Sequence, residues 1–173
     1  MIPYEPDILT PGLDVVFCGI NPAATAAAAG HNFSSPSNRF WPVLHLAGFT
    51  DVRLRPEEER RLLEFGCGLT AAVARPTRTA AEVPSREFRA QAVSFEAKIR
   101  AYSPRFLAFL GKRPLGAMTV NTDIRWGRQP NMFGGAVAWV LPNPSGLNRA
   151  FALSDLVNAY REQRTASKQE GVG

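Results

Sequence analysis

Two asparagines, Asn21 and Asn143, each stand directly before a proline and close behind an apolar run. The two runs, residues 15–18 and 137–141, are typical of buried parallel strands. Proline biases the residue before it away from the helical region, so both amide side chains are held in constrained turns. Ligands of open α/β sheets bind at the carboxyl ends of the strands. Two fixed amides at one sheet edge can hold a water molecule or a neutral ring through hydrogen bonds alone.

Residues that could contact a ligand accompany both turns. In the first turn, Gly19 lets a ligand or another backbone approach closely. Phe33 stands alone in a polar loop, residues 31–37, where it is either a core plug beneath the loop or a platform for a ligand. Leu147 is isolated among small and polar residues. It either caps the last helix or acts as a wedge that enters a base stack, with Arg149 beside it for a phosphate or base contact.

Strands and helices alternate along the chain. Strands are predicted at residues 15–18, 105–110 and 137–141, a strand-like segment at 66–73, and helices at 38–48, 56–65, 85–102, 113–120 and 151–164. This alternation predicts an α/β fold, a three-layer sandwich with a central, mainly parallel sheet flanked by helices. The sequence shows no internal repeat and no linker, so we expect a single domain over residues 1–164 and a polar, frayed tail over residues 165–173.

Three segments between these elements are interpreted from composition. The alanine-rich residues 23–30 predict a short helix, with a cavity-lining loop as the alternative. Residues 75–84 are read as a polar connection and residues 127–135 as a loop. The run of three glutamates at residues 57–59 complements the dipole of the helix that Pro56 opens, and it needs no functional explanation.

Composition is that of a globular protein. The chain has 173 residues, of which 45% are apolar and 20% charged. No apolar run reaches the roughly 18 residues of a membrane helix, and no signal peptide is apparent, so the expected location is the cytoplasm and no membrane partner is expected. Cys18 and Cys67 are interpreted as buried thiols of a reduced compartment. The cysteines and the two histidines follow no metal-ligand spacing, so no metal is expected.

The net charge of +5 and the pI of about 9.8 come almost entirely from arginine. Arginine pairs with phosphate in a bidentate manner, so this balance is compatible with a nucleic-acid partner. GC-biased coding also produces chains rich in arginine and alanine. The charge alone therefore does not decide whether the protein binds nucleic acid.

Three motifs stand in order at the predicted strand ends. They are GINP at residues 19–22, NRFW at residues 38–41 after the Phe33 loop, and NPSGLNR at residues 143–149. Together they resemble the mismatch-specific uracil-DNA glycosylases, in the branch that also holds the thymine-DNA glycosylases, and the resemblance runs from about Asp7 to Arg161. It implies a central parallel sheet flanked by helices, with a DNA-binding groove across the strand ends. This family removes uracil mispaired with guanine, and several other damaged pyrimidines, in base-excision repair, without a cofactor or metal.

The resemblance also implies roles for individual residues. By position, Asn21 corresponds to the catalytic residue that orients the attacking water. The residues expected to bind the base are Gly19, Ile20, Phe33 and Asn143, with Phe33 stacking on the flipped ring. The residues expected to enter the DNA and contact the widowed guanine are Ser145, Gly146, Leu147, Asn148 and Arg149.

Two positions depart from the family pattern: Ala23 stands where relatives often have glycine, and Ala71 where relatives can carry a polar side chain. Both departures leave the range of excised bases open.

The expected reaction is hydrolysis of the N-glycosidic bond of a flipped-out base in double-stranded DNA with a mispaired or damaged pyrimidine. Asparagine accepts a proton poorly at neutral pH, so the water is oriented rather than deprotonated, and slower chemistry is expected than in relatives with aspartate. Lys112 is the one candidate for a Schiff base, and a helix-start role suits it better, so no strand cleavage is expected. A monomer suffices for one duplex.

The sequence also allows a comparison with two other functions. A lesion-binding protein with little turnover would also use Leu147 and Arg149, while Asn21→Ala would change its DNA binding little. A nucleotide-binding α/β enzyme is disfavoured because the sequence has neither a GxGxxG nor a Walker pattern.

Overall fold

The structure is a computed structural model that describes residues 5–170. Its strands are β1 (Val15–Gly19), β2 (Cys67–Ala71), β3 (Phe106–Leu110), β4 (Gly127–Phe133) and β5 (Ala136–Leu141). They form one sheet in the order β2-β1-β3-β5-β4. All neighbours in this sheet are parallel except β4, which is antiparallel to β5. The predicted α/β fold with a central, mainly parallel sheet flanked by helices is confirmed.

Residues 5–170 contain five α-helices, of which four lie between strands and the fifth follows β5. They are α1 (Ala24–Ala29), α2 (Phe40–Leu46), α3 (Ser85–Tyr102), α4 (Arg113–Thr119) and α5 (Leu153–Glu170). The helix predicted at residues 56–65 is a 3-10 helix, Pro56–Phe65, and a second short 3-10 turn spans Ala80–Glu82. The alanine-rich segment forms the short helix that its composition predicts. No helix within residues 5–170 is long and apolar enough to cross a membrane.

Helices cover both faces of the sheet because alternate residues of a strand point to opposite sides. In β1, Val15 and Phe17 lie in one buried cluster with residues of α2, α5 and the 3-10 helix Pro56–Phe65. Val16 and Cys18 lie in the other cluster, with residues of α3 and α4. Both faces of the central strands are therefore buried, and this explains why the sequences of these strands are continuous apolar runs.

The carboxyl ends of the parallel strands align at one edge of the sheet. The last residue of β1, Gly19, pairs with Ala71 at the end of β2. Leu110 at the end of β3 pairs with Leu141 at the end of β5. The turn after β1 and the turn after β5 therefore open at the same edge, as the sequence predicts.

The prediction of a loop at residues 127–135 is wrong, because residues 127–133 form β4. Pro130 lies inside this strand, at the point where its pairing with β5 shifts between Arg128 and Met132. An edge strand tolerates a proline and an irregular register, since one of its sides needs no hydrogen bonds to a neighbour. Gly134 and Gly135, both with positive φ, make the hairpin turn into β5.

The last helix differs from the prediction at both ends. It begins at Leu153 rather than at residue 151, and it continues to Glu170 rather than ending at residue 164. Residues 165–170, predicted as part of a frayed tail, are therefore helical. Ser167 is only 2% exposed, and its carbonyl accepts a hydrogen bond from Arg105 Nη2 at 3.1 Å. The rest of the predicted tail, residues 171–173, lies outside the described residues.

Candidate active site

A cavity of about 110 Å³ opens at the carboxyl edge of the sheet. Its walls come from the turn after β1, the loop before α2, residues 77–80, and the loop after β5. Seven of the ten expected site residues line it together: Gly19, Ile20, Asn21, Phe33, Asn143, Ser145 and Leu147. Gly146, Asn148 and Arg149 belong to the same loop as Leu147 but do not line the cavity.

The amide group of Asn21 is anchored across the cavity. Its Nδ2 donates to the carbonyl of Arg75 at 2.8 Å and to Thr77 Oγ1 at 2.8 Å. Because a carbonyl can only accept, the nitrogen must face Arg75, and this settles the orientation of the amide. Both hydrogens of Nδ2 are then used, while Oδ1 accepts no hydrogen bond from residues 5–170. The side chain is thus held through its nitrogen, and it keeps an unused acceptor in the wall of the cavity.

Thr77 is a site residue that the sequence interpretation missed. Its side chain is buried, and its Oγ1 accepts from Asn21 and donates to the carbonyl of Thr79 at 2.7 Å. Its backbone accepts from Ala24 N at 2.8 Å and donates to the carbonyl of Pro22 at 3.2 Å. These bonds fasten residues 75–79 to the turn after β1. The polar composition of the segment gives no sign of this, because the partners are more than fifty residues apart.

Phe33 borders the cavity while part of its ring is packed. The ring stacks on Phe40 with centroids 4.1 Å apart and an interplanar angle of 28°, and it meets Trp41 edge to face. Its backbone has φ +52°, a left-handed conformation that is costly for a bulky residue. Both readings of the sequence thus describe part of its environment, since Phe33 packs against the core and also forms a wall of the cavity.

The loop that carries Phe33 is clamped by a buried carboxylate, Glu59. Asn32 donates its backbone N–H to Oε2 at 2.9 Å and its Nδ2 to Oε1 at 3.1 Å, and His31 Nδ1 lies 3.3 Å from Oε2. Burial raises the pKa of Glu59 above its ordinary value, although the hydrogen bonds from Asn32 and the contact with His31 oppose this rise. All three glutamates stand in the first turn, as the helix-dipole interpretation expects, but Glu59 also holds the Asn32 loop, a role which that interpretation did not include.

The loop of residues 143–149 is ordered by its own polar groups. Asn143 Oδ1 accepts from Ser145 N at 2.9 Å, and Asn148 Nδ2 donates to the carbonyl of Asn143 at 3.0 Å. Leu147 at the tip is 72% exposed and belongs to neither of the two buried clusters, so the alternative that places it as a cap over the last helix is wrong. A large apolar side chain is thus presented to solvent at the mouth of the cavity.

The cavity is almost uncharged. Among the described residues that line it, Arg78 alone carries a formal charge. Ala23 and Ala71, the two departures from the family pattern, both lie in its wall. Lys112 lies instead over the ring of Trp126, with Nζ 4.6 Å from the ring centroid. Within residues 5–170, no group of three or more His, Cys, Asp or Glu side chains could hold a metal ion.

Comparison with known proteins agrees with this geometry. Residues 6–164 match the family described as the Uracil DNA glycosylase superfamily, and the chain belongs to that superfamily. A solution NMR structure from Methanosarcina acetivorans, of a protein provisionally assigned as a uracil DNA glycosylase, superposes with a TM-score of 0.61. The two chains are 18% identical, and the match covers 92% of this chain and 96% of the other, a likeness that shows the shared fold. Membership of the superfamily supports a hydrolytic glycosylase that acts on DNA.

Proposed function

We propose that this protein is a monofunctional DNA glycosylase of base-excision repair that removes uracil, and other damaged or mispaired pyrimidines, opposite guanine in double-stranded DNA. One observation carries the proposal. Asn21 is anchored through its nitrogen, with its oxygen left over, in a nearly uncharged cavity whose mouth carries the exposed Leu147. This arrangement suits a neutral base that enters the cavity while an apolar side chain occupies the place it left.

Base flipping explains the preference for mismatches. A base within a duplex is out of reach of the cavity, so it must be extruded at a cost of a few kcal/mol, which is least for a mismatched pair. In our proposal Leu147 fills the space that the base leaves in the stack, and Phe33 stacks on the extruded ring. Asn148 and Arg149 contact the widowed guanine and the backbone. A G·U pair is thereby favoured before any contact in the cavity is made.

Asn21 acts by orientation in this mechanism. Its Oδ1 accepts a hydrogen bond from a water molecule and directs that water toward the sugar carbon as the N-glycosidic bond breaks. The bonding electrons leave with the uracil, and the proton that the attacking water gives up neutralises the uracil anion. Negative charge develops on the leaving uracil, and we assign the backbone N–H groups near Ile20 and Phe33 to stabilise it. Asn143 lies where it can contact the base and its sugar. Lys112 is engaged by Trp126 and does not line the cavity, so release of the base without strand cleavage is proposed.

The test is single-turnover release of uracil from a duplex with one G·U pair. Asn21→Ala is expected to lower the release rate by about 100-fold or more while DNA affinity stays nearly unchanged, because a water-orienting group acts mainly in the transition state. Leu147→Ala is expected to lower release from the duplex and also to weaken binding to the mismatch. Duplexes with G·T and A·U pairs, tested in parallel, report the mismatch preference.

Two outcomes contradict the proposal. If the wild-type protein binds the G·U duplex but frees no uracil, it is a lesion-binding protein instead. If it frees uracil equally fast from A·U and G·U pairs, the enzyme assignment stands and the mismatch preference is wrong.

A further inference from the structure

Arg39, just before α2, binds the loop of residues 143–149 through its guanidinium group. Nε donates to the carbonyl of Pro144 at 3.3 Å, and Nη1 donates to the carbonyl of Phe151 at 2.6 Å. Nη2 donates to the carbonyls of Ser145 and Asn148, both at 2.9 Å. The backbone N–H of Arg39 adds a bond to Pro144 at 3.0 Å. One side chain therefore holds three carbonyls of this loop, near both of its ends, and a fourth carbonyl, that of Phe151, two residues beyond it.

These bonds define the shape of a segment that has no regular secondary structure. A guanidinium presents its donors in a fixed plane, so acceptors that satisfy four of them are held in fixed relative positions. None of the salt bridges found within residues 5–170 involves Arg39, so carbonyl groups rather than a carboxylate receive its donors. Hydrogen bonds from a charged donor are stronger than neutral ones. Arg39 is thus the main external support of the loop.

A second contact joins the same loop to the loop before α2. A methyl group added to Gly146 would lie 2.7 Å from the carbonyl oxygen of Ser37 and 2.8 Å from its Cβ. The two backbones are therefore packed as closely as glycine allows. Arg39 and Ser37 follow Phe33 in one continuous segment. The cavity wall at Phe33 and the exposed Leu147 are consequently parts of one packed unit.

We propose that Arg39 is a positioning residue that holds the 143–149 loop so that Leu147 stands at the mouth of the cavity when a base is flipped. This inference rests on the proposed function, because it assigns Arg39 to the flipping step of that reaction. Arg39 does not touch the reacting atoms. Loss of Arg39 should therefore slow uracil release most on the substrates whose uracil is hardest to flip out of the duplex.

The test compares two duplexes of the same sequence, one with uracil opposite guanine and one with uracil opposite an abasic-site analogue. Arg39→Ala is expected to slow single-turnover release from the G·U duplex by about 30-fold and from the unpaired uracil by less than about 3-fold, because the second substrate needs little separation of bases. Arg39→Lys keeps the charge but lacks the planar fork, so an intermediate loss is expected on the G·U duplex. The Arg39→Lys variant also provides the test if Arg39→Ala fails to fold.

Arg105→Ala is the matched control. Arg105 binds Asp14 and the carbonyl of Ser167, and it precedes β3 at the opposite edge of the sheet. Its loss should lower the melting temperature and leave the ratio of the two release rates unchanged. An equal loss on both substrates in the Arg39 variants, or no loss on either, would overturn the proposal.

A second measurement separates this inference from the proposed function. With 2-aminopurine beside the mispaired uracil, binding of the wild-type protein should raise the fluorescence as the stack opens, and Arg39→Ala should reduce this rise at saturating protein. If the wild-type protein frees no uracil, the proposed function fails. The fluorescence then still shows whether Arg39 is needed for the protein to open the base stack. An undiminished rise in both Arg39 variants contradicts the positioning role.

Discussion

At the scale of single residues, the two asparagines that look equivalent in the sequence are used differently. Asn21 commits its nitrogen to Arg75 and Thr77 and keeps its oxygen available. Asn143 commits its oxygen to Ser145 within its own turn. Each precedes a proline, but the hydrogen-bond partner decides which atom of the amide is left for a ligand. On this difference we base the proposal that Asn21 orients water and that Asn143 contacts the base or its sugar.

Glu59 leads to a prediction on pH. Burial raises its pKa above the ordinary value of 4.5, so the folded protein holds this proton to a higher pH than the unfolded chain does. Its contribution to the free energy of unfolding therefore decreases as the pH rises from 4.5 through the raised folded value, and is constant above it. We expect the difference in the free energy of unfolding between the wild-type protein and Glu59→Gln to decrease as the pH rises across this window. Urea unfolding between about pH 4 and pH 7 measures this difference.

The control for this measurement is Glu57→Gln, which changes an exposed glutamate two residues away. Its stability relative to the wild type should not vary in the same way with pH. His31 is the titratable neighbour of Glu59, so His31→Gln tests whether the histidine contributes to the trend. A wild-type advantage over Glu59→Gln that stays flat or grows with pH would show that burial does not dominate at this carboxylate.

Residues that carry a local mark in the sequence were easier to connect with the cavity than the residues that support them. Asn21 and Phe33 were found because a proline or a lone aromatic marks their turns. Thr77, Glu59 and Arg39 carry no such local mark, since each acts through a partner that is distant along the chain. Glu59 resembles its two acidic neighbours in type and spacing, and only the packing of the Asn32 loop against it makes it different.

At the scale of elements, the buried strands were predictable and the edge strand was not. In β1 and β3 nearly every residue is buried on a two-sided sheet, so the apolar run is a direct consequence of position. β4 has one neighbour, is largely exposed and contains Pro130 and a register shift, so its sequence resembles a loop. The end of α5 was missed for a related reason, because its last two turns bury few side chains and their composition is polar.

The extension of α5 can be tested with Ser167→Asp. Ser167 is 2% exposed and donates from Oγ to the carbonyl of Gln163 at 2.9 Å. A carboxylate at this position would lose its hydration, and its oxygens would face the two Gln163 oxygens that now accept from Ser167, the carbonyl at 2.9 Å and Oε1 at 3.2 Å. A loss of about 2–3 kcal/mol in the free energy of unfolding is therefore expected. Lys168→Asp, at an exposed neighbouring position, should cost much less. Equal effects of the two substitutions in urea unfolding would show that residues 165–170 do not pack as the helix does here.

At the scale of the whole molecule, the distribution of charge separates two kinds of binding. The chain carries a net charge of +5, yet among the described residues that line the cavity only Arg78 is charged. In our proposal, attraction to the phosphate backbone therefore comes from the surface, and recognition of a neutral base comes from amides, N–H groups and apolar contacts. A cavity lined by cations would bind phosphate in place of the base.

This separation predicts how salt affects binding to a G·U duplex. The logarithm of the binding constant should fall linearly with the logarithm of the salt concentration, and Arg149→Ala should make the slope shallower by about 1, because one phosphate contact is lost. Leu147→Ala should weaken binding to the mismatch with the slope unchanged, since an apolar side chain releases no counterion. Both are measured by fluorescence anisotropy over a salt series. If Arg149→Ala lowers affinity equally at every salt concentration, Arg149 contacts a base rather than a phosphate, and the positive surface that holds the backbone lies elsewhere on the protein.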